Sequence, residues 1–238
     1  MAEFILVHGS WHGAWCWNEV VRRLEERGHT VAAIDLPGHG QDRTPPEAVT
    51  LENYLACIGQ AIDCPRRPIL VGHSMGGLIG PVAERVPERV RALIFVSALL
   101  PPGGSSMMDL VSGFDPRYLA QLEWAPDRRT ARLSLAGVRD FFYNCCPANV
   151  AETAFPLLTP EPAAPFETRI PITGADSDTV PRYYVECLRD RVVPIALQRA
   201  MCAGARIQGV YSLDTDHAPF FSAPERLAAI LDEIAGKV

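Results

Sequence analysis

The sequence has no apolar run long enough to cross a bilayer, and no basic segment precedes its first hydrophobic stretch, Phe4-Ile5-Leu6-Val7. We therefore expect no membrane association. Basic residues are not in excess either. Lys and Arg number 22 against 28 Asp and Glu, for a formal net charge of -6, and the arginines form no stripe. Nucleic acid is accordingly not an expected partner.

Patterns for binding metals and nucleotides are also missing. The seven cysteines are an odd number without a C-x-x-C pair, which fits neither a disulfide framework nor a zinc knuckle. We expect reduced, mostly buried cysteines in a cytoplasmic protein, with a redox role for adjacent Cys145 and Cys146 as the weaker alternative. Neither G-x-G-x-x-G nor G-K-S/T marks a phosphate loop. We predict no metal and no cofactor.

What the sequence does contain is an alternation of short apolar runs and longer segments of helical period. Its 238 residues, 48% of them hydrophobic, suffice for one core and are too few for two full catalytic domains. The alternation predicts an α/β fold with a mostly parallel central sheet flanked by helices. The candidate strands are Phe4–His8, Val31–Asp35, Ile69–His73, Ala92–Ser97, Tyr183–Cys187 and Ile207–Leu213.

Three helices have clear signals. The first covers Trp15–Arg27 with Gly28 as its C-cap, and another lies near Pro194–Cys202. The last begins at a capping box formed by Ser222 and Glu225. Buried stripes are predicted at Trp17, Val20, Val21 and Leu24 of the first helix and at Leu227, Ile230, Leu231 and Ile234 of the last.

The alternation stops over residues 100–181, where prolines and glycines separate short helical pieces. A segment of this length is too long for an ordinary loop. We interpret it as an inserted helical lid, with residues 1–99 and 182–238 forming the core. Its aromatic residues are expected at exposed positions: Trp124, Phe141, Phe142, Tyr143, Phe155 and Phe166.

The strongest local signal is Gly72-His73-Ser74-Met75-Gly76-Gly77, directly after an apolar strand and before a helical stretch. This is the context of a G-x-S-x-G nucleophile elbow, in which the serine projects from a strained turn. Side chains at positions 72 and 76 would collide across the turn. Ser74 is the predicted nucleophile, and the Met75 backbone N–H is placed to stabilise an oxyanion. A purely structural turn is the alternative.

His217 is the predicted general base among six histidines. It follows the last strand, where a Ser…Asp…His chain order places the base. By the two-residue period of a strand, His73 should point away from the Ser74 hydroxyl. Of the others, His8, His12 and His39 are expected near the mouth of the site as structural donors, and His29 at a helix end on the surface.

The acid of the triad should follow a strand between the serine and the histidine, as Asp190 does after Tyr183–Cys187. A solvated turn position is the alternative for this residue. Other aspartates are less suitable: Asp176 and Asp178 precede that strand, and Asp214 and Asp216 are too closely tied to His217.

A second oxyanion donor should come from the loop after the first strand, His8-Gly9-Ser10-Trp11-His12-Gly13, and we choose the Ser10 backbone N–H. The substrate pocket is expected to include both this loop and the lid. Its candidate residues are Gly9, Trp11, His12, Trp124, Phe141, Phe142 and Ala218.

Several segments together resemble the plant methylesterase and hydroxynitrile lyase group of α/β-hydrolases, and its bacterial esterases in particular. They are Phe4–Trp17, Asp35–Gly40, the elbow around Ser74, Tyr184–Asp190 and Asp216–Ser222. The resemblance implies a triad of Ser74, Asp190 and His217, oxyanion donors at Ser10 and Met75, and a pocket for an apolar or aromatic acyl group under the lid.

Two positions separate the branches of that group. Hydroxynitrile lyases carry a threonine where this chain has Gly9 and a lysine where it has Ala218. Without that lysine no obvious cation is available to stabilise departing cyanide, so the resemblance favours the esterase branch.

The expected activity is hydrolysis of a small carboxylic ester with an apolar or aromatic acyl group through an acyl-enzyme intermediate. One alternative is the same triad acting on a thioester, a lactone or a biosynthetic intermediate. Another is a non-catalytic, ligand-binding homologue. A homodimer is one option for its assembly, which the sequence leaves open.

Overall fold

The computed structural model describes residues 1–64, 66–171 and 179–238. Six strands form one parallel sheet in the order β2-β1-β3-β4-β8-β9, which confirms the predicted α/β fold. Because all six run in the same direction, their carboxyl ends meet at one edge. The strands are β1 Glu3–Val7, β2 Thr30–Ile34, β3 Ile69–His73, β4 Ala92–Val96, β8 Arg182–Cys187 and β9 Gly209–Leu213.

Burial varies systematically across the sheet. The inner strands β3 and β4 are buried at every position because helices cover both faces, whereas the edge strands β2 and β9 retain exposed residues. Helix α1 packs against α10, and α2 against α3. The core helices are α1 Asn18–Glu26, α2 Leu51–Ala61, α3 Ile79–Arg85, α8 Ile195–Gly204, α9 Pro219–Ser222 and α10 Pro224–Ala235. No helix of the described ranges has the length and hydropathy of a membrane span.

The first predicted helix is present in two parts, a 3-10 turn over Ala14–Trp17 followed by α1. Its stripe is buried, with Val21 only partly so, and Gly28 ends the helix with φ +84°, as a C-cap glycine does.

The predicted start of the last helix is wrong. Pro224 opens α10 and Ala223 is its N-cap, without a side-chain hydrogen bond. The Ser222 hydroxyl instead donates to Asp216 Oδ1 at 2.7 Å, and Glu225 pairs with arginines of α1. A tertiary partner has therefore replaced the local capping box.

The segment between β4 and β8 contains short helices, as expected, and also a three-stranded antiparallel sheet that the pattern did not indicate. Strands of two to four residues are too short to show a period of two. The helices are α4 Pro116–Leu119, α5 Leu135–Gly137, α6 Ala148–Ala154 and α7 Ala164–Glu167; the strands are β5 Leu122–Trp124, β6 Thr130–Leu133 and β7 Glu161–Pro162. The boundaries of a lid at residues 100 and 181 remain a prediction.

Three aromatic residues of this segment are buried, contrary to expectation: Phe141, Phe142 and Tyr143. The ring of Phe142 stacks on His12 with centroids 5.7 Å apart and meets His217 edge-on at 4.9 Å. These aromatics thus face the carboxyl edge of the sheet, where the predicted catalytic residues lie.

Candidate active site

Ser74 follows β3 in a strained turn, with φ +53° in the left-handed region that side chains rarely adopt. Glycine is required at the neighbouring positions because any side chain there would collide with main-chain atoms. A Cβ on Gly72 would lie 2.0 Å from the carbonyl oxygen of Gly76, and one on Gly77 would lie 2.0 Å from that of Leu99. The predicted collision across the turn is therefore confirmed at position 72, whereas a Cβ at position 76 would instead meet the Val7 carbonyl oxygen of β1 at 2.7 Å.

The loop after β1 packs directly on this elbow. A Cβ on Gly9 would come within 2.7 Å of Ser74 Cβ, so only glycine fits there. The hydroxyl of Ser10 contacts Met75 Sδ at 3.7 Å. The two residues chosen as backbone oxyanion donors, Ser10 and Met75, are therefore neighbours beside Ser74.

His8 orients the peptide group that carries the Ser10 N–H. The Leu36 N–H donates to His8 Nε2 at 3.0 Å, so the ring proton is on Nδ1, which donates to the Gly9 carbonyl at 2.8 Å. In a trans peptide the N–H points opposite to the C=O, so holding the Gly9 oxygen fixes the direction of the Ser10 N–H. Burial lowers the pKa of His8 to about 4, which keeps this ring neutral.

Asp190 and His217 form a buried pair at the ends of β8 and β9. His217 Nδ1 lies 2.6 Å from Asp190 Oδ2, and neither side chain reaches solvent. The other carboxylate oxygen of Asp190 accepts the N–H groups of Val192 at 2.7 Å and Val193 at 2.8 Å. These bonds hold the carboxylate in place, so the imidazole proton belongs on Nδ1.

The opposite nitrogen of the ring, His217 Nε2, is buried and has no hydrogen-bond partner among the described residues. No bond joins it to Ser74 Oγ there, although both residues lie at the same edge of the sheet. Contacts of this kind are often long before substrate binds. With its proton on Nδ1, the ring presents a free lone pair at Nε2.

His73 lies closer to the base than the strand period suggested. Its Nε2 donates to the His217 carbonyl oxygen at 2.6 Å, and the two rings are 4.6 Å apart. Burial holds the pKa of His73 well below its usual range. The side chain therefore supports the main chain of His217 and has no bond to Ser74 among those described.

The remaining histidines are buried, so their predicted positions at the mouth or the surface are wrong. His12 accepts from Tyr143 Oη at 2.6 Å, and burial lowers its pKa to about 3. His39 lies between hydroxyls of Tyr54 and Thr159, each 2.8 Å away. His29 receives the N–H of Ala2 and contacts Asp232 at the helix α10. Hydrogen bonds to residues remote in the sequence hold these rings in the interior.

Asp216 connects the histidine loop to the segment between β4 and β8. It is fully buried, accepts the Cys145 N–H at 2.7 Å and the Ala218 N–H at 3.2 Å, and is also bonded to Ser222. Asp214 pairs with Arg189 at the surface. All seven cysteines are free, but only Cys16 and Cys187 are buried, so the expectation of mostly buried cysteines is wrong. Asp176 and Asp178 lie outside the described residues.

A cavity of about 260 Å³ opens over Ser74. Three predicted pocket residues line it, namely Trp11, Trp124 and Phe142. Four others do not. Gly9 lies behind Ser74, His12 lies behind the Phe142 ring, Phe141 packs on Tyr118, and Ala218 is fully buried in the histidine loop.

Three residues of the site were not found from the sequence. Glu161 and Tyr118 bring polar groups to an otherwise apolar cavity. Ser97 directly follows β4, has a φ of +41° and donates to Asp190 Oδ2. A glutamate between two prolines was the one local sign of Glu161, while the contact of Ser97 depends on strand order. No three His, Cys, Asp or Glu side chains of the described chain are grouped to share a metal ion.

Comparison with known proteins shows which family this chain belongs to. Residues 4–230 match the alpha/beta hydrolase family. The chain belongs to this family. As an α/β-hydrolase it is 33% identical to methylesterase 7 of Arabidopsis thaliana over 99% of this chain and 96% of the relative. Methylesterase 1 of the same plant is 30% identical over 99% and 96%.

Solved structures of other α/β-hydrolases superpose over nearly the full length. A pyrethroid hydrolase from Sphingobium faniae JZ-2 aligns with a TM-score of 0.86 and 30% identity, covering 99% of this chain and 97% of that one. Polyneuridine aldehyde esterase aligns with a TM-score of 0.90, 23% identity and 99% coverage of both chains. At that identity the second likeness concerns the fold alone.

Proposed function

We propose that the chain is a serine hydrolase that cleaves small carboxylic esters through an acyl-enzyme intermediate on Ser74. Its relatives named methylesterase and pyrethroid hydrolase support the class of carboxylic ester hydrolase. The observation that carries the mechanism is the buried Asp190–His217 pair, which leaves Nε2 free at the edge where Ser74 projects.

In the proposed reaction, Ser74 Oγ attacks the ester carbonyl carbon while His217 Nε2 takes the hydroxyl proton. The carbonyl oxygen becomes an oxyanion and accepts the N–H groups of Ser10 and Met75. When the intermediate collapses, Nε2 returns the proton to the leaving alcohol. Water then attacks the acyl-serine with the same ring as base, which releases the acid and regenerates Ser74.

The cavity supports an apolar acyl group. Its walls are aromatic and aliphatic except at a few points, and its volume of about 260 Å³ suits a small acyl chain or a single ring. The residues that would surround such a group are Leu99, Met108, Phe114, Leu119, Trp124 and Phe166. A methyl or similarly small alcohol is the leaving group that the methylesterase relatives suggest.

Replacing Ser74 by alanine tests the nucleophile. We expect Ser74→Ala to lower kcat on p-nitrophenyl acetate by at least about 10³-fold, because the triad acts as a unit. Labelling by a fluorophosphonate should disappear as well. Ser212→Ala, which removes a hydroxyl of the edge strand β9 that is bonded to Glu186, serves as the control and should retain both. Full turnover by Ser74→Ala would overturn the proposal.

A substrate panel tests the bond that is cleaved. We expect the parent protein to hydrolyse an aromatic methyl ester with a higher kcat/KM than a matched acyl-thioester or lactone. A preference for the thioester or lactone would transfer the same mechanism to that substrate class. If no fluorophosphonate labelling occurred at all, the protein would instead be a ligand-binding member of its family.

A further inference from the structure

Trp11, directly after the proposed oxyanion donor Ser10, has an unusual backbone. Its φ of +62° lies in the left-handed region, which costs a bulky residue about 1–2 kcal/mol. Three hydrogen bonds hold it there. The Trp11 N–H donates to Glu161 Oε2 at 2.9 Å, the indole N–H donates to the Ala131 carbonyl at 3.0 Å, and the Trp11 carbonyl accepts the Thr159 N–H at 2.9 Å. All three partners lie between β4 and β8.

Glu161 is the one ionisable side chain among these partners; the Thr159 hydroxyl also lies 3.5 Å from the Trp11 carbonyl oxygen. It is only 4% exposed and forms part of the cavity wall. Tyr54 Oη lies 3.4 Å from its Oε1, and His39 Nε2 lies 3.6 Å from its Oε2. Burying a carboxyl in an apolar wall is costly, so its hydrogen bonds must compensate.

The protonation state of the Glu161 carboxyl fits these hydrogen bonds. Burial raises the pKa of Glu161 to about 8, which keeps the group largely protonated at neutral pH. A protonated carboxyl has one carbonyl oxygen that accepts and one O–H that donates. The oxygen Oε2 accepts the Trp11 N–H, and the other oxygen, Oε1, receives the Tyr54 hydroxyl. A primary amide offers the same pattern of one acceptor and one donor side.

We propose that Glu161 is a positioning residue of the oxyanion loop, which fixes the Ser10–Trp11 peptide group by accepting the Trp11 N–H. The inference rests on the proposed function, in which the Ser10 N–H is an oxyanion donor. The other end of the same peptide group, the Ser10 carbonyl, accepts from His12 Nδ1 at 2.8 Å. A planar peptide held at both ends cannot turn.

This rigidity matters for the rate rather than for substrate binding. An oxyanion donor accelerates the reaction only if it already points at the position where the negative charge develops. Loss of the acceptor at position 161 leaves the Ser10–Trp11 peptide group held only at the Ser10 carbonyl, by His12. Movement of this group displaces the main chain of Ser10, so its N–H loses its exact position even though His8 still holds the Gly9 carbonyl. The ground-state ester does not depend on that direction to the same extent.

The test compares Glu161→Ala and Glu161→Gln on p-nitrophenyl acetate, with rates expressed per active site counted by fluorophosphonate titration. We expect Glu161→Ala to lower kcat by about 10- to 100-fold with KM within about threefold of the parent. Glu161→Gln, which keeps an acceptor oxygen, should stay within about threefold in both. Glu186→Ala removes a buried glutamate remote from the cavity and is the matched control.

If circular dichroism shows that Glu161→Ala is unfolded, Glu161→Leu replaces it, because leucine fills the space without an acceptor. We then expect the same loss of kcat with little change in KM. An unchanged kcat per site in the alanine or leucine variant overturns the inference. So does a loss confined to KM, or a Glu161→Gln variant as slow as Glu161→Ala. Full turnover by Ser74→Ala would instead refute the proposed function, so the two failures remain distinct.

Discussion

The sheet and the segment between β4 and β8 contribute to the site in different ways. The sheet carries the proposed catalytic residues: Ser74, Asp190 and His217 each follow a strand, and main-chain pairing sets their positions. The segment supplies shape and support, through the cavity wall, the bonds to Trp11 and the bond from Cys145 to Asp216. The comparison teaches that the reactive groups are placed by regular structure, while their surroundings depend on individual side chains.

The largest expected effect is a loss of stability at low pH, caused by buried histidines between the sheet and this segment. The pKa values of His8 and His12 are lowered to about 4 and 3, and those of His39 and His73 also lie well below the usual range. Below pH 6.5 the unfolded chain binds protons that the native rings do not bind, so the free energy of unfolding falls as the pH falls, by about 2 kcal/mol at pH 5 for each of His8 and His12.

Glu161 has the opposite effect on the pH dependence of stability. Its native pKa of about 8 exceeds the ordinary value, so its contribution to stability grows as the pH falls from 8 towards 4.5. It offsets roughly one of the two histidines His8 and His12, while His39 and His73 add to the loss, so we expect the free energy of unfolding to fall between pH 7 and pH 5. Urea unfolding at several pH values measures this loss, and Glu161→Gln should show a steeper one. A free energy of unfolding that stays constant over this range would contradict the buried, neutral histidines.

The chemistry of the sheet is tested by Asp190→Asn. An asparagine leaves the shape intact but does not hold the His217 proton on Nδ1, so kcat should fall by about 10³- to 10⁴-fold. Asp214→Asn, at a surface pair with Arg189, is the control and should retain the parent rate. A loss below tenfold in the first variant would show that another group orients the base.

The elbow itself is tested by Gly77→Ala. The new methyl group would meet the Leu99 carbonyl oxygen at 2.0 Å, and main chain cannot move aside cheaply. We expect the free energy of unfolding to fall by about 3 kcal/mol or more. Gly59→Ala, in helix α2 with open space around the position, should be neutral or stabilising in the same urea titration. Equal stability of both variants would mean that the close approach is absent.

The smallest expected effect concerns the wall of the cavity. Trp124→Ala should lower kcat/KM for an aromatic methyl ester by about tenfold through lost apolar contact, and that for p-nitrophenyl acetate by less than about threefold. Phe155→Ala, in the same segment but outside the cavity lining, provides the matched control. Equal losses on both esters would show that Trp124 supports the site as a whole rather than the acyl group.

The division between the two regions also explains what the sequence could predict. The strands and the Gly72–Gly76 elbow depend on residues adjacent in the chain, so apolar runs and glycine spacing sufficed to find them. The bond from Glu161 to Trp11 spans 150 residues, and the bond from Ser97 to Asp190 spans 93. No local pattern encodes such pairs. Ser222 failed as a helix cap for the same reason, since a tertiary carboxylate took its hydroxyl.

The bond between His73 and the His217 carbonyl joins the end of β3 to the loop after β9, across 144 residues of the chain. Since His73 immediately precedes the nucleophile, a displacement of the elbow is transmitted to the backbone of the base, and the reverse holds as well. The proposed nucleophile and base are therefore held relative to each other by a bond that does not involve the cavity wall. Residues of the cavity wall can therefore be replaced, and substrate selectivity can change with them, without a compensating change at Ser74, Asp190 or His217.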